Sequence, residues 1–315
     1  MKHMKRWSVL LLFLAAGIPL YAATWHVPGD FPAIQAAIDY AVAGDTIVVS
    51  PGTYRENLNI FQKHLDILAE GSAEDTVIAS VSQAGSVICL RDTQSKQMVF
   101  DGFTITQGTG TPYNGKICGG GIFVRGSSLL IRNCRINDNT AMGSYGTSYS
   151  VGVGGGLAGY SSQINIENSE FTGNFASGGN IPETVTGHGG EALGGGLGLF
   201  SCQTVLTDTD LTANTVYAGV TCRTDMYDPP MTGVDAYGGA FYVNGGTFAS
   251  QGGEWSDNLC HGGDTDDNFG GECPGAIGGR SYGGVGWIGD TIHVSIENAT
   301  IALNTSIAGY GISWY

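Results

Sequence analysis

The segment IRNCRINDNTA, Ile131–Ala141, returns four times farther along the chain. It comes back as IENSEFTGNFA (Ile166–Ala176), LTDTDLTANTV (Leu206–Val216), SQGGEWSDNLC (Ser250–Cys260) and IENATIALNTS (Ile296–Ser306). In every copy the sixth residue is large and apolar: Ile136, Phe171, Leu211, Trp255 and Ile301. The ninth is always asparagine: Asn139, Asn174, Asn214, Asn258 and Asn304, spaced 35, 40, 44 and 46 residues apart. A period of tens of residues is the mark of a solenoid, whose repeats bury their apolar faces only by stacking. Short apolar runs with period-two alternation make each repeat a coil of strands. The expected fold is therefore all-β, a right-handed parallel β-helix, as one domain over residues 23–315.

Each block follows a small-residue cluster that opens a short apolar run: Gly119–Ile122, Gly154–Leu157, Gly194–Leu197, Gly238–Phe241 and Gly283–Val285. Coils stack at the ~4.8 Å spacing of neighbouring strands, so equivalent side chains lie above one another. The apolar position becomes a buried column. The asparagines become a ladder of amides bonded to one another and to the turns, and asparagine tolerates the left-handed backbone of such turns. Asn298 and Asn304 also fit the glycosylation pattern, but that reading accounts for only one of the five ninth-position asparagines. The extra residues between each asparagine and the next cluster cover 142–153, 177–193, 217–237 and 261–282. In a stack they emerge on one side and form a wall, the place where a rigid scaffold carries function.

Before the first coil, Phe31–Val42 has helical apolar spacing, which predicts a short capping helix over an otherwise open edge. Thr46–Ser50 then reads as the first strand. Lys2, Lys5 and Arg6, the apolar run Trp7–Ile18 and Ala22 have the layout of a secretory signal over residues 1–22. The protein is expected to be exported, and secreted, periplasmic or at the cell surface, with no transmembrane segment in the mature chain. Gly309–Tyr315 resembles the opening of a further coil, so the C-terminal end is expected to be truncated or uncapped.

The 28 acidic residues outnumber the 13 basic ones, and no lysine follows Lys116. Such a surface repels phosphate backbones, which excludes nucleic acid as a partner. Seven cysteines cannot all pair internally. Cys260 and Cys273 bracket one loop and are the best candidate pair, while the others suit small buried hydrophobes.

The stretch from Phe31–Ile38 through Gly44–Val49 to Pro51–Glu56 resembles the opening coils of the pectin-lyase-like superfamily. Asp101–Gly108 is similar to a coil of its exported members, and the glycine clusters with Phe171–Asn174 resemble the repeats of polymorphic outer-membrane proteins. The resemblance implies the β-helix fold, and its enzymes are polysaccharide lyases, polygalacturonases and pectin methylesterases. Gly52–Glu56 matches the first methylesterase motif without its later partners. Gly187-His188-Gly189 and Asp266-Asp267 look like polygalacturonase fragments in reversed order. Arg223 and Arg280 stand where a lyase base would be sought, yet arginine stays charged at ordinary pH.

With every catalytic set incomplete, the residues favour a non-catalytic, adhesin-like module that binds a glycan or a partner protein. The alternative is a carbohydrate-active enzyme using insert carboxylates. The expected ligand-binding residues are Asp225, Asp228, Asp235, Tyr237, Asp267, Glu272 and Tyr282, because aromatics beside carboxylates suit sugars. Asp264, Asp266 and Asn268 place oxygens at alternate residues, a pattern that suits Ca²⁺, and equally a solvated acidic loop. His188 and His261 read as loop surface, since neither has a second ligand at metal-binding spacing.

Overall fold

A computed structural model describes residues 22–81, 85–93, 96–182, 184–223, 232–267, 278–290 and 293–309. The chain winds as a right-handed parallel β-helix. One coil runs from Ile122–Arg125 to Ser128–Arg132, Arg135–Asn137 and Thr140–Met142, and returns through Val151–Val153 to the next cluster. Each strand pairs in parallel with its equivalent one coil on. Ile122 lies opposite Leu157, Leu129 opposite Ile164 and Ile136 opposite Phe171.

The expected columns form. Ile136, Phe171, Leu211 and Trp255 are completely buried, and so are Asn139, Asn174, Asn214 and Asn258. The side-chain amide of Asn139 donates to Oδ1 of Asn174 at 3.1 Å. The rungs continue from Asn174 to Asn214 at 3.0 Å, from Asn214 to Asn258 at 3.1 Å and from Asn258 to Asn304 at 2.8 Å. Each Oδ1 also accepts the backbone N–H of the preceding asparagine. The asparagines themselves are not left-handed, contrary to expectation. The residue just before each one is: Asp138, Gly173, Ala213, Asp257 and Leu303 all have positive φ. Rotating the preceding peptide turns the asparagine side chain inward, where its amide replaces the hydrogen bonds that the corner takes from the ladder.

Not every core position is matched chemically. Thr204 lies in the buried column between Ile164 and Phe248, and its hydroxyl has no hydrogen-bond partner. Thr204→Val keeps the shape and removes the orphaned hydroxyl, so it is expected to raise stability by about 1 kcal/mol. The urea midpoint measures this, with the m-value unchanged.

The capping helix spans Ile34–Tyr40 and buries Ile34, Ala37 and Ile38. Two groups from the next coil hold its ends. Glu56 accepts the N–H of Ile34 and of Gln35 at 2.9 and 2.8 Å, and the Lys63 ammonium donates to the carbonyls of Ile38, Asp39 and Ala41. The methylesterase-like Gly52–Glu56 thus has a structural task here, as helix ends need such partners. The first strand lies earlier than the sequence suggests, at Thr24–Val27, paired with Thr46–Val49. Among the described residues no helix is long and apolar enough to cross a membrane. The last described coil leaves Val294, Ile296, Ile301 and Ile307 exposed.

The described parts of the inserts and the strands that flank them stack into a two-layered flange, with loops at its outer edge. The outgoing layer stacks Thr140–Met142, Phe175–Ser177, Thr215–Tyr217, Leu259–His261 and Thr305–Ile307. The returning layer stacks Lys116–Cys118, Val151–Val153, Ala192–Leu193, Ala236–Tyr237 and Ser281–Tyr282. Only small side chains such as Ala176, Ala192, Val216, Ala236 and Cys260 fill the space between them. Farther out the layers touch backbone to backbone, with Gly190 N–H donating to Gly179 and Gly219 N–H to Gly190. This close approach explains much of the glycine content. Cys260 is a free thiol inside the flange, and burial pushes it up to about 11. The expected pairing with Cys273 is therefore not present at Cys260, whose side chain serves as a small apolar filler; Cys273 itself lies outside the described residues. Cys89, Cys118, Cys134 and Cys202 are likewise free and buried, and Cys222 is buried too.

Candidate functional site

The flange folds back beside the strands that follow the glycine clusters, Ile122–Arg125, Leu157–Tyr160, Leu197–Phe200, Phe241–Asn244 and Gly286–Ile288. A seam runs along the solenoid where this floor packs against the returning layer of the flange, its wall, and Glu191, Gly233, Asp235 and Arg280 line a pocket on the wall. Strand alternation decides what each surface presents. On the floor, Leu157 and Leu197 point into the core while Tyr160 and Phe200 point out. The register aligns Arg125, Tyr160, Phe200 and Asn244 in one row, and Phe123, Ala158, Gly198, Tyr242 and Trp287 in the next. On the wall, the residues before Ala192, Ala236 and Ser281 bring Glu191, Asp235 and Arg280 into line, with Val151 and Lys116 preceding them. Beside that row stand Leu193, Tyr237 and Tyr282.

The aromatic side chains form short stacks along the seam. Tyr160 lies over Phe200 at 4.8 Å, Tyr242 over Trp287 at 4.7 Å and Tyr237 over Tyr282 at 4.9 Å, each pair within 8° of parallel. Edge contacts between Tyr237 and both Tyr242 and Trp287 join wall to floor. Rings stacked along the axis show their edges and polar tips to the seam. Part of their work is packing, since Phe123, Val153, Leu193 and Tyr242 are buried in the same satellite cluster.

Polar groups accompany the rings coil by coil. The Tyr237 hydroxyl donates to Oδ2 of Asp235 at 3.4 Å, and the Arg280 backbone N–H donates to Oδ1 of the same carboxylate at 2.8 Å. The Arg280 guanidinium donates to the Tyr282 hydroxyl at 3.3 Å. Burial, with the negative charge of Asp235 and Glu191, holds the Tyr237 hydroxyl well above the usual phenol range. Glu191 keeps an exposed surface, yet the protein crowded around its carboxyl pushes its pKa up. Asp235 adds to that shift and Lys116 opposes it.

Of the residues expected from sequence, Asp235, Tyr237 and Tyr282 are brought together on the wall. Asp225, Asp228, Glu272 and Asn268 lie outside the described residues. Asp266 and Asp267 belong to an outer strand of the flange, paired with Thr221–Arg223, and Asp264 leads into that strand. The described residues contain no group of three or more His, Cys, Asp or Glu placed to hold a metal ion. His188 stacks on Tyr149. His261, read as loop surface, is instead buried, stacked on Tyr217 at 4.2 Å with Nδ1 against the Gly262 carbonyl. The outgoing layer carries it inside the flange. Sequence reasoning missed Glu191, Tyr160, Phe200, Tyr242 and Trp287. The floor aromatics have a signal, because they fall two to four residues after the last small residue of a cluster. Glu191 has none until the wall's register is known.

No protein-family model and no curated protein matches the chain. Solved structures of similar shape include the pectin methylesterase from carrot, 13% identical, covering 92% of this chain and 88% of that one, with a TM-score of 0.38. Pectin methylesterase PemA from Erwinia chrysanthemi is 11% identical, with coverage of 78% and 80% and a TM-score of 0.36. The rice weevil pectin methyl esterase is 13% identical, with coverage of 85% and 88% and a TM-score of 0.36. By its own strand order and register, this chain has the right-handed parallel β-helix fold of the pectin-lyase-like proteins.

Proposed function

We propose that the protein is an exported, adhesin-like β-helix module that binds a neutral glycan chain along the seam between floor and wall. The observation that carries this reading is the alignment of Glu191, Asp235 and Arg280, one per coil, with Tyr237 and Tyr282 beside the last two. Polar tips repeated at ~4.8 Å lie close to the length of one sugar unit in an extended glycan. Tyrosine and tryptophan edges combine apolar contact with a hydrogen-bonding group, and a few placed polar groups in an aromatic groove are what such ligands need. Charge selects among glycans. The wall's two carboxylates oppose a polyuronate and leave a neutral chain as the better fit.

A second reading, a carbohydrate-active enzyme, is favoured by the neighbouring carboxylates of Glu191 and Asp235. Both line one pocket on the wall, with Gly233 and Arg280.

Affinity electrophoresis tests the binding reading with gels containing xylan, galactomannan, mixed-linkage β-glucan or homogalacturonan. At least one neutral polymer is expected to retard the protein and homogalacturonan is not. Trp287→Ala and Tyr237→Ala should each weaken the retarded interaction roughly tenfold, about 1.4 kcal/mol. Tyr40→Ala, on the exposed side of the capping helix, should leave it unchanged. If no neutral polymer retards the protein, the reading is wrong.

A further inference from the structure

Glu191 and Asp235 are the only adjacent carboxylates among the described residues of the wall row, and they line one pocket. Their strands are neighbours in register, since Ala192 pairs with Ala236 and Leu193 with Tyr237. We propose that Glu191 and Asp235 form the acid–base and nucleophile pair of a retaining glycoside hydrolase site, acting on the neutral glycan that the seam holds. This rests on the glycan-binding reading and adds bond cleavage to it.

Spacing comes first. Equivalent residues on neighbouring parallel strands stand ~4.8 Å apart. Retaining sites need carboxyl groups about 5–5.5 Å apart, whereas inverting sites need about 6.5–9.5 Å to admit a water. Two carboxylates carried on backbones of adjacent rungs are within reach of the retaining separation, and carboxylates a further coil apart are not.

The two environments then divide the roles. Asp235 accepts hydrogen bonds at both oxygens, from the Arg280 N–H and the Tyr237 hydroxyl, which fixes the direction of its carboxylate. Glu191 accepts no hydrogen bond among the described residues. Crowding and the charge of Asp235 raise its pKa, which favours the protonated form. The oriented carboxylate of Asp235 suits the nucleophile, and the unpaired Glu191 carboxyl suits the acid.

In the first step Glu191 gives its proton to the glycosidic oxygen while an Asp235 oxygen attacks the anomeric carbon. The bond to the leaving sugar breaks, and a glycosyl ester forms on Asp235. In the second step Glu191, now ionised, takes a proton from water as that water attacks the same carbon. The ester opens, Asp235 is released as carboxylate and Glu191 is protonated again. One water is consumed and the anomeric configuration is kept.

The test incubates the full chain with the neutral polymer that retards it and follows reducing ends, with ¹H NMR of the first product anomer. Cleavage with retention is expected. Glu191→Gln should lower the rate on the polymer by at least a hundredfold, yet act far better on a 2,4-dinitrophenyl glycoside of the same sugar, whose leaving group needs no proton. Asp235→Asn should lose activity on both substrates. Glu191→Gln should also lose the alkaline limb of the pH profile, because the wild-type acid fails as pH rises through its raised pKa. Unfolding transitions like the wild type's in both variants, with the polymer still retarding them, would show that the site remains folded. Binding without cleavage, cleavage with inversion, or full activity in either variant would overturn this inference and leave the binding reading standing. Absence of binding would overturn both.

Discussion

Asn214→Leu is expected to lower the stability of the protein by about 3–5 kcal/mol, since each orphaned buried polar group costs about 1–3 kcal/mol. Asn214 is fully buried at the middle of the ladder. Its amide donates to the Phe171 carbonyl at 2.8 Å and to Asn258. Its Oδ1 accepts both the backbone N–H and the side chain of Asn174. Leucine matches the size but satisfies none of these groups, and water has no route to the buried rungs. A repeat stack transmits the damage only to its neighbours, so the coils on either side of 214 should lose amide-exchange protection first. Chemical denaturation measures the total. Asn165→Ala, on the outer side of the strand Gln163–Glu167, is expected to change stability by less than about 0.5 kcal/mol. A loss below 1 kcal/mol at Asn214 would mean that the ladder is incidental to the fold.

The second large effect is at the neck of the flange. A β-carbon added at Gly195 would lie 2.7 Å from both the backbone nitrogen and the oxygen of Thr215, and would also meet the Gly239 carbonyl. Gly155 and Gly284 face the same obstruction from Phe175 and Thr305. These are backbone atoms already committed to hydrogen bonds, so they cannot yield. Gly195→Ala should therefore cost roughly 3 kcal/mol, the upper range of overpacking. It should also push the outgoing layer away from the cluster and shift the wall relative to the floor. Glycan binding should fall together with the melting temperature in this variant, whereas Thr204→Val should raise the melting temperature and leave binding intact. Differential scanning calorimetry beside the affinity gels checks both outcomes. Wild-type stability and binding in Gly195→Ala would show that the neck is looser than the packing implies.

What could be read from the sequence follows from what stacking does to it. Asn139 through Asn304 repeat because each amide needs the same group above and below it, so the ladder and the Phe171 column are visible as a pattern. The clusters such as Gly194–Gly196 are visible for the same reason, although their cause, backbone passing against backbone at the neck, is not. The left-handed corner was placed one residue late, since Asp138, Gly173, Ala213, Asp257 and Leu303 share no chemistry that marks positive φ. The inserts suffer most. They differ in length, so no fixed spacing connects Glu191 with Asp235 or Tyr237 with Tyr282. Only the paired strands Ala192–Leu193 and Ala236–Tyr237 bring them level. His261 was misread for a related reason, because a stretch rich in glycine and aspartate looks like exposed loop until its strand is seen packed within the flange.

A crystal structure with an oligosaccharide of the neutral polymer retained in the gels tests the central claim most directly. It should show successive sugar units lying along the seam, one per coil, with hydroxyls on Asp235, Tyr237 and Tyr282 and ring carbons against Tyr160, Phe200 and Trp287. Sugar bound on any other face of the solenoid, with this seam bare, would contradict the account.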